Sequence, residues 1–262
     1  MKVKSVLKRF RGDASTAQTV AEPRPEGRTY VVADVHGCLA ALDTLLAGID
    51  TDRRRTGGED AQIVFVGDYI DRGPQSAETL QRVRDLEAAL PDQVVCLLGS
   101  HEKMLLDFLD KPRTHGLRWL RAGGIGTLAA YRVDGLTEVA TPEELEVAAA
   151  QLRPRLAEGL IDWLRARPLR HDSGNVTVVH AGLDPEKPHT EQRDNVLLWG
   201  NAKSLTHGRP DGRWVVHGHT VVTEPEICGT RINIDTGVWL HGSLTAVVLD
   251  PAAEPRFLQT FD

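Results

Sequence analysis

No stretch of this chain is apolar for long enough to cross a bilayer. Positive charge is not in excess either: 31 Lys+Arg against 37 Asp+Glu leave a formal net charge of -6. The first absence argues against a membrane span, the second against a general binder of nucleic acid or anionic membrane. An anionic substrate stays open, because bound metal ions make a site locally positive whatever the overall charge. Cysteine is scarce. Cys38, Cys96 and Cys228 are an odd set without paired spacing, which argues against a disulfide framework and points to a reducing compartment, expected to be the cytoplasm. The N-terminus lacks the uninterrupted apolar stretch of a secretory signal, because Lys2, Lys4, Lys8, Arg9 and Arg11 interrupt Val3, Val6, Leu7 and Phe10. With the following segment that holds Pro23 and Pro25, residues 1–27 read as a flexible arm. A helix that meets a membrane surface or a partner is the alternative.

Residues 28–262 are enough to bury a substantial core, and they read as one domain. Thr29–Ala33, Gln62–Val66 and Val94–Leu98 have the apolar, β-branched character of buried strands. Each is followed by a polar loop and then a helical pattern: Leu39 to Ile49, Ser76 (a candidate cap) through Ala89, and a helix ending at Asp110. Asp50 to Asp60 is charged and Gly-rich and reads as a loop. Between about 112 and 170 the pattern is helical, with Thr141-Pro142-Glu143-Glu144 as a helix start. Trp119 and Trp163 read as packing residues. Strands resume at Val176–Val179, Val196–Trp199, Trp214–Val216, Ile232–Ile234 and Leu244–Leu249. The expected architecture is α/β, with two mixed sheets packed as a sandwich, helices outside, and a helical insertion between the halves.

Chemistry-bearing residues gather where these strands end: Asp34 and His36, then Asp68, Asp71 and Arg72, then Ser100 and His101, then His180, then His217 and His219. Ligands bind at the carboxyl edge of such sheets. Imidazoles with carboxylates suit Mn, Fe or Zn rather than Ca or Mg, and cysteines outside the clusters argue against a thiolate zinc site. So many candidate ligands fit two ions that share one carboxylate.

Five motifs stand in order: Asp34-Val35-His36-Gly37, Gly67-Asp68-Tyr69-Ile70-Asp71-Arg72-Gly73, Gly99-Ser100-His101-Glu102, His180-Ala181-Gly182 and His217-Gly218-His219-Thr220. In these the chain resembles a bacterial member of the phosphoprotein phosphatase family of metallophosphoesterases, over roughly Arg28 to Leu249. The resemblance implies a β-sandwich flanked by helices and two divalent metal ions, with Mn expected first and Fe or Zn as alternatives. It implies Asp34, His36 and Asp68 on the first ion, Asp68 as the bridge, and Ser100, His180 and His219 on the second. His101, supported by Asp71, would be the general acid, Arg72 would grip phosphate, and a metal-bound water would attack phosphorus directly. His217 is left as a structural residue.

The pattern is broken in three places. Ser100 stands where the family usually has asparagine, which predicts a weaker second ion. Asn201 stands where relatives often carry a second phosphate-clamping arginine, leaving a hydrogen-bond donor without charge. Ala181 replaces a glycine without expected consequence. Read this way, the enzyme is a metal-dependent phosphomonoesterase acting first on phosphoserine or phosphothreonine in proteins, with phosphotyrosine or small phosphate esters as further substrates. Two alternatives stand beside it. One is a dinucleoside polyphosphate hydrolase, a branch that tends to carry alanine where this chain has Asp71. The other is a weakened phosphate-binding scaffold, suggested by Ser100 and Asn201.

Overall fold

The apolar runs become the central strands. In the computed structural model, which describes residues 21–260, Thr29–Val32 (β1), Gln62–Phe65 (β2) and Val94–Cys96 (β3) pair in parallel. Thr245–Asp250 (β9) and Ala253–Gln259 (β10) extend this sheet antiparallel, in the order β10-β9-β1-β2-β3. A second five-stranded sheet runs from Arg170–Ser173 (β4) through Val176–Val179 (β5), Trp214–His217 (β6) and Arg231–Asn233 (β8) to Glu226–Cys228 (β7). Its parallel centre is β5, β6 and β8, with β4 and β7 antiparallel at the edges. Both sheets are mixed and flanked by helices, so the expected fold class is realised. Every residue of β1 and β5 is buried, as expected for strands covered on both faces. No helix among the described residues is long and apolar enough to cross a membrane.

Leu39–Thr56 (α1) and Ser76–Ala89 (α2) connect the first three strands. The expected loop at Asp50–Asp60 is largely helix. Arg53, Arg54 and Arg55 favour the negative end of the α1 dipole, and Gly57 stops the helix at φ 66°. Charge in that stretch belongs to a helix end, exposed at Asp50, Arg54 and Arg55 and buried at Asp52, rather than to a loop.

Between the halves lie Ser100–Asp110 (α3), Pro112–Trp119 (α4), a π-type turn at Leu120–Gly124, Ile125–Ala130 (α5), Pro142–Leu152 (α6) and Leu160–Arg165 (α7). Thr141 caps α6, accepting the Glu144 N–H at 3.3 Å while Glu144 accepts the Thr141 N–H at 2.6 Å.

Val196–Trp199 is not a strand. It lies in Asp194–Trp199 (α8), a run too short for period to tell strand from helix. The strands that escaped the sequence, β4, β7 and β10, are edge strands. β7 is wholly exposed, and β10 carries Pro255 inside the irregularity between Ala253 and Arg256, the position a sheet tolerates for proline. Of the expected arm, only 21–27 lie among the described residues, and these are tied down. Ala21 accepts the Trp214 indole N–H at 2.7 Å, Glu22 accepts from Asn175 at 3.0 Å, and the Glu26 N–H reaches Ser173 at 2.9 Å.

Candidate active site

Residues just beyond the carboxyl ends of both parallel cores come together in one cluster. Two backbone contacts bring the motif loops within reach. A Cβ on Gly67 would lie 2.4 Å from the Gly99 nitrogen, and one on Gly99 would lie 2.1 Å from the Asp68 nitrogen, so both positions require glycine. Glu102 then shapes the loop. Its fully buried carboxylate accepts the N–H groups of Asp68 at 2.8 Å, Tyr69 at 2.7 Å, Ile70 at 3.2 Å and Gly99 at 3.1 Å. Glu102 was visible in the third motif but had no role until this geometry supplied one.

Asp68 sits at the centre. Its Oδ2 is 3.7 Å from His36 Nε2, 3.8 Å from His101 Nε2 and 3.4 Å from His180 Nε2. His36 Nδ1 bonds the Ile70 carbonyl at 2.8 Å, and His180 Nδ1 bonds that of Val66 at 3.1 Å. A carbonyl can only accept, so both rings carry hydrogen on Nδ1 and turn the Nε2 lone pair inward, the arrangement of a metal-ligating imidazole. Burial pushes His36 down to about 3 and His219 down to about 4, so both rings are neutral. Two groups of potential ligand atoms result, His36/Asp68/His101 and Asp68/His180/His219, with Asp68 common to both.

Asp34 stands outside these two groups. Its carboxylate accepts the His219 N–H at 3.0 and 3.2 Å, a link from the first sheet to the second. Asp235, which the sequence reading left without a role, is buried nearby, and its Oδ1 accepts the Gly237 N–H at 3.0 Å. Burial and the neighbouring Asp235 and Asp68 charges raise Asp34 well above the usual carboxylate range, and burial likewise lifts Asp235 to about 6. Carboxylates that resist ionisation, beside neutral imidazoles with inward lone pairs, form a donor set short of positive charge. Divalent cations fit it. Ser100 lies within this set, its hydroxyl 3.2 and 3.4 Å from the Asp68 oxygens and 3.4 Å from His219 Nδ1.

His101 and Asp71 are paired at 2.7 Å through Nδ1 and Oδ2. Burial pulls the His101 ring down, but the Asp68 charge and the Asp71 hydrogen bond outweigh it and raise its pKa. The helical block holds the pair. Trp119, expected only to pack, donates its indole N–H to Asp71 Oδ2 at 2.9 Å, and the Thr127 hydroxyl donates to Oδ1 at 2.6 Å. These two residues flank the π-type turn, whose Gly123 carbonyl accepts the Arg72 N–H at 3.3 Å. Ser76, expected to cap a helix, instead accepts the Asp71 N–H at 3.0 Å. His36, Asp68, Asp71, Arg72 and His219 all have positive φ, 45–71°. Non-glycine residues persist there only when the surroundings over-determine them.

Arg72 reaches His101 Nε2 at 3.4 Å, and its guanidinium lies 4.6 Å from the Trp239 ring centroid. The Asn201 Oδ1 caps a turn, accepting the N–H groups of Lys203 at 3.0 Å and Ser204 at 2.8 Å. The structure brings another cation to this rim. Arg118 lies 4.4 Å from the Trp199 ring centroid, and that ring meets His219 edge-on at 5.8 Å. Arg118 comes from α4, far from the motifs, so nothing near it in sequence marked it. His217 is buried in the sheet, accepting from Arg231 at 3.0 Å, and joins neither ligand group.

Known proteins share this framework. A bis(5'-nucleosyl)-tetraphosphatase of the asymmetrical type from Bacillus velezensis is 29% identical over 234 residues, covering 82% of this chain and 86% of the relative. A crystal structure described provisionally as a diadenosine tetraphosphatase superposes with a TM-score of 0.58 at 21% identity, over 90% of this chain and 94% of the other. A serine/threonine phosphatase from Saccharomyces cerevisiae is more distant, with a TM-score of 0.50 at 18% identity over 85% of this chain and 73% of the other. The phosphoprotein phosphatase resemblance thus holds at the level of the wider superfamily. The calcineurin-like phosphoesterase family model matches residues 27–223, from the strand before Asp34 to just beyond His219, and the chain belongs to that family.

Proposed function

We propose that this enzyme hydrolyses dinucleoside polyphosphates, cleaving a phosphoanhydride bond rather than the ester of a phosphoprotein. The observation that carries this reading is a pair of guanidinium groups held near different members of the cluster. Arg72 is beside His101, and Arg118 is on the His219 side through Trp199. One phosphate needs one clamp, whereas a chain of phosphates extends past the reacting centre and meets the second cation. The similarity to asymmetrical tetraphosphatases supports the same choice. Asp71-Arg72 had favoured the protein-phosphatase reading, but that contrast rests on one position and the similarity on more than 200 residues.

Asp34, His36, Asp68, Ser100, His180 and His219 are the proposed ion-holding set. Divalent ions bound there would supply Lewis acidity toward phosphoryl oxygens and lower the pKa of a coordinated water. The residues of the chain then divide the remaining work. Arg72 grips the reacting phosphate with its planar fork. His101 faces Arg72 as well as Asp68, so we assign it as the proton donor to the leaving oxygen rather than as an ion ligand. Asp71 fixes its tautomer, holding the proton on Nδ1 and leaving Nε2 for proton transfer.

The test compares purified protein with added Mn on diadenosine tetraphosphate and on a phosphoserine peptide, following products by chromatography. The expected outcome is a kcat/KM at least about tenfold higher for the dinucleotide, the difference one additional charged contact makes. Preference for the phosphopeptide would reverse the assignment. Loss of turnover in His101→Ala would tie the activity to this site.

A further inference from the structure

Among the described residues, Trp239 is the one aromatic among the strongly exposed large apolar side chains, at 39% exposure. It belongs to Val238–His241 (α9), a single turn closed at both ends by left-handed Gly237 and Gly242. The turn is firmly held. Val238 is buried, Gly237 donates to Asp235, and the Thr236 hydroxyl donates to the Ser243 carbonyl at 2.8 Å. A tryptophan exposed on a rigid turn is presented rather than left over, and it stands in a definite place. Arg72 lies between its ring and His101, 4.6 Å from the one and 3.4 Å from the other. A group extending from a phosphate held by Arg72 toward this turn would meet the ring. Leu240, at 59% exposure, and Val221, at 37%, add apolar surface from the same turn and from the segment after His219.

We infer that Trp239 is the platform on which a nucleobase of the substrate stacks, so that it sets the preference for nucleoside-bearing polyphosphates over base-free ones. The assignment rests on the dinucleoside polyphosphate reading above. The chemistry is suited to it: a planar base gains by stacking on an indole whatever its sequence of hydrogen-bonding groups, and an arginine against the same ring adds a cation–π contribution. The rigid turn means that little ordering is required on binding.

The experiment measures steady-state kinetics of the full chain with Mn on diadenosine tetraphosphate and on inorganic tetraphosphate, which lacks bases, for wild type, Trp239→Ala and Trp239→Phe. Trp239 also supports Arg72, so both substrates are expected to weaken in Trp239→Ala. The informative quantity is therefore the ratio. We expect kcat/KM for the dinucleotide to fall about ten- to a hundredfold further than for inorganic tetraphosphate, the range of one lost base–aromatic stack, with Trp239→Phe restoring most of the difference. Equal losses on both substrates would overturn the platform and leave Trp239 as a support for Arg72, with the proposed function intact. Wild-type protein that turns over inorganic tetraphosphate but no dinucleotide would overturn the proposed function and the platform with it.

Discussion

Replacing Thr127 with valine removes one hydroxyl and almost no volume, and it should reach the chemistry without touching the cleft. In the folded protein that hydroxyl donates to Asp71 Oδ1 at 2.6 Å and accepts the Asp71 N–H at 3.0 Å. The N–H keeps Ser76 as a partner, also at 3.0 Å, so the backbone loses little. The carboxylate loses more. Asp71 is fully buried, its other oxygen already takes the His101 and Trp119 donors, and among the described residues no other hydrogen bond reaches Oδ1. A hydrogen bond to a charged group contributes about 1.5–3 kcal/mol, and the desolvated oxygen left behind cannot recover it from water. Thr127→Val should therefore lower unfolding stability by about 2 kcal/mol. If half or more of that is felt at His101, kcat should fall roughly five- to thirtyfold, at 1.36 kcal/mol per factor of ten.

A double-mutant cycle separates positioning from general destabilisation. Unfolding midpoints and kcat on diadenosine tetraphosphate are measured for wild type, Thr127→Val, Asp71→Asn and the pair. If Thr127 acts through Asp71, its effect on kcat should largely vanish once Asp71 is an amide, a coupling of about 1 kcal/mol or more. The reasoning fails if Thr127→Val slows both backgrounds by the same factor, or destabilises the fold while kcat stays at the wild-type value.

Other expectations follow from the same geometry. Ser100→Asn gives the His180/His219 side a longer, carbonyl-bearing arm, so calorimetric titration of metal-free protein with Mn should show the weaker of two binding events tightening by about tenfold or more; two equally tight ions in both proteins would refute the weak second site. Arg118→Ala should raise KM for diadenosine tetraphosphate about tenfold while changing p-nitrophenyl phosphate hydrolysis by less than about twofold, since a lone phosphate does not extend to the second cation; parallel changes would remove Arg118 from substrate binding. Away from the site, burial works against ionisation of Asp52, yet Arg256, Tyr30 and Arg55 hold its carboxyl down at about 2. A folded pKa below the unfolded value contributes stability that is present above about pH 4 and disappears as pH falls toward 2, here about 2 kcal/mol for a side chain only 5% exposed. The stability gap between wild type and Asp52→Asn should close over that window, and a gap that stays constant with pH would show the ion pair contributes nothing.

The central strands were legible because strands covered on both faces carry an apolar, β-branched stretch, as Tyr30-Val31-Val32, Ile63-Val64-Phe65, Val94-Val95-Cys96, Val178-Val179, Trp214-Val215-Val216 and Ala246-Val247-Val248-Leu249 do, whereas β8 has only Ile232 between Arg231 and Asn233. Edge strands lack that signal. Glu226-Ile227-Cys228 buries none of its residues, so backbone pairing alone makes it a strand. The α1 extension was hidden for another reason, since its charge-rich end, Asp50 to Thr56, has the composition usual in loops even though Asp52 is buried there against Tyr30 and Arg256.

At the site, legibility followed locality. Asp34, His36, Asp68, His101, His180 and His219 each stand one to five residues beyond a strand, so sheet order alone carries them to a common edge, and reading the strands was enough to gather them. Trp119, Thr127 and Arg118 stand on helices that reach the cleft through tertiary packing, and neither spacing nor residue type distinguishes them from ordinary helical residues. Asn201 shows the same limit from the other side. Its position beyond Trp199 suggested a substrate contact through its N–H donor, while its Oδ1 caps its own turn, a role the spacing did not mark. The nearest cation outside the motifs on that side is Arg118, against the Trp199 ring. If Arg118 is the second clamp, the helical block that carries it is part of the catalytic apparatus. The same block holds Asp71 through Trp119 and Thr127, and Arg72 through Gly123. A shift of the π-type turn at Leu120–Gly124 would then disturb proton donor and phosphate grip together, whereas a change at Ser100 would touch the ion-holding set alone.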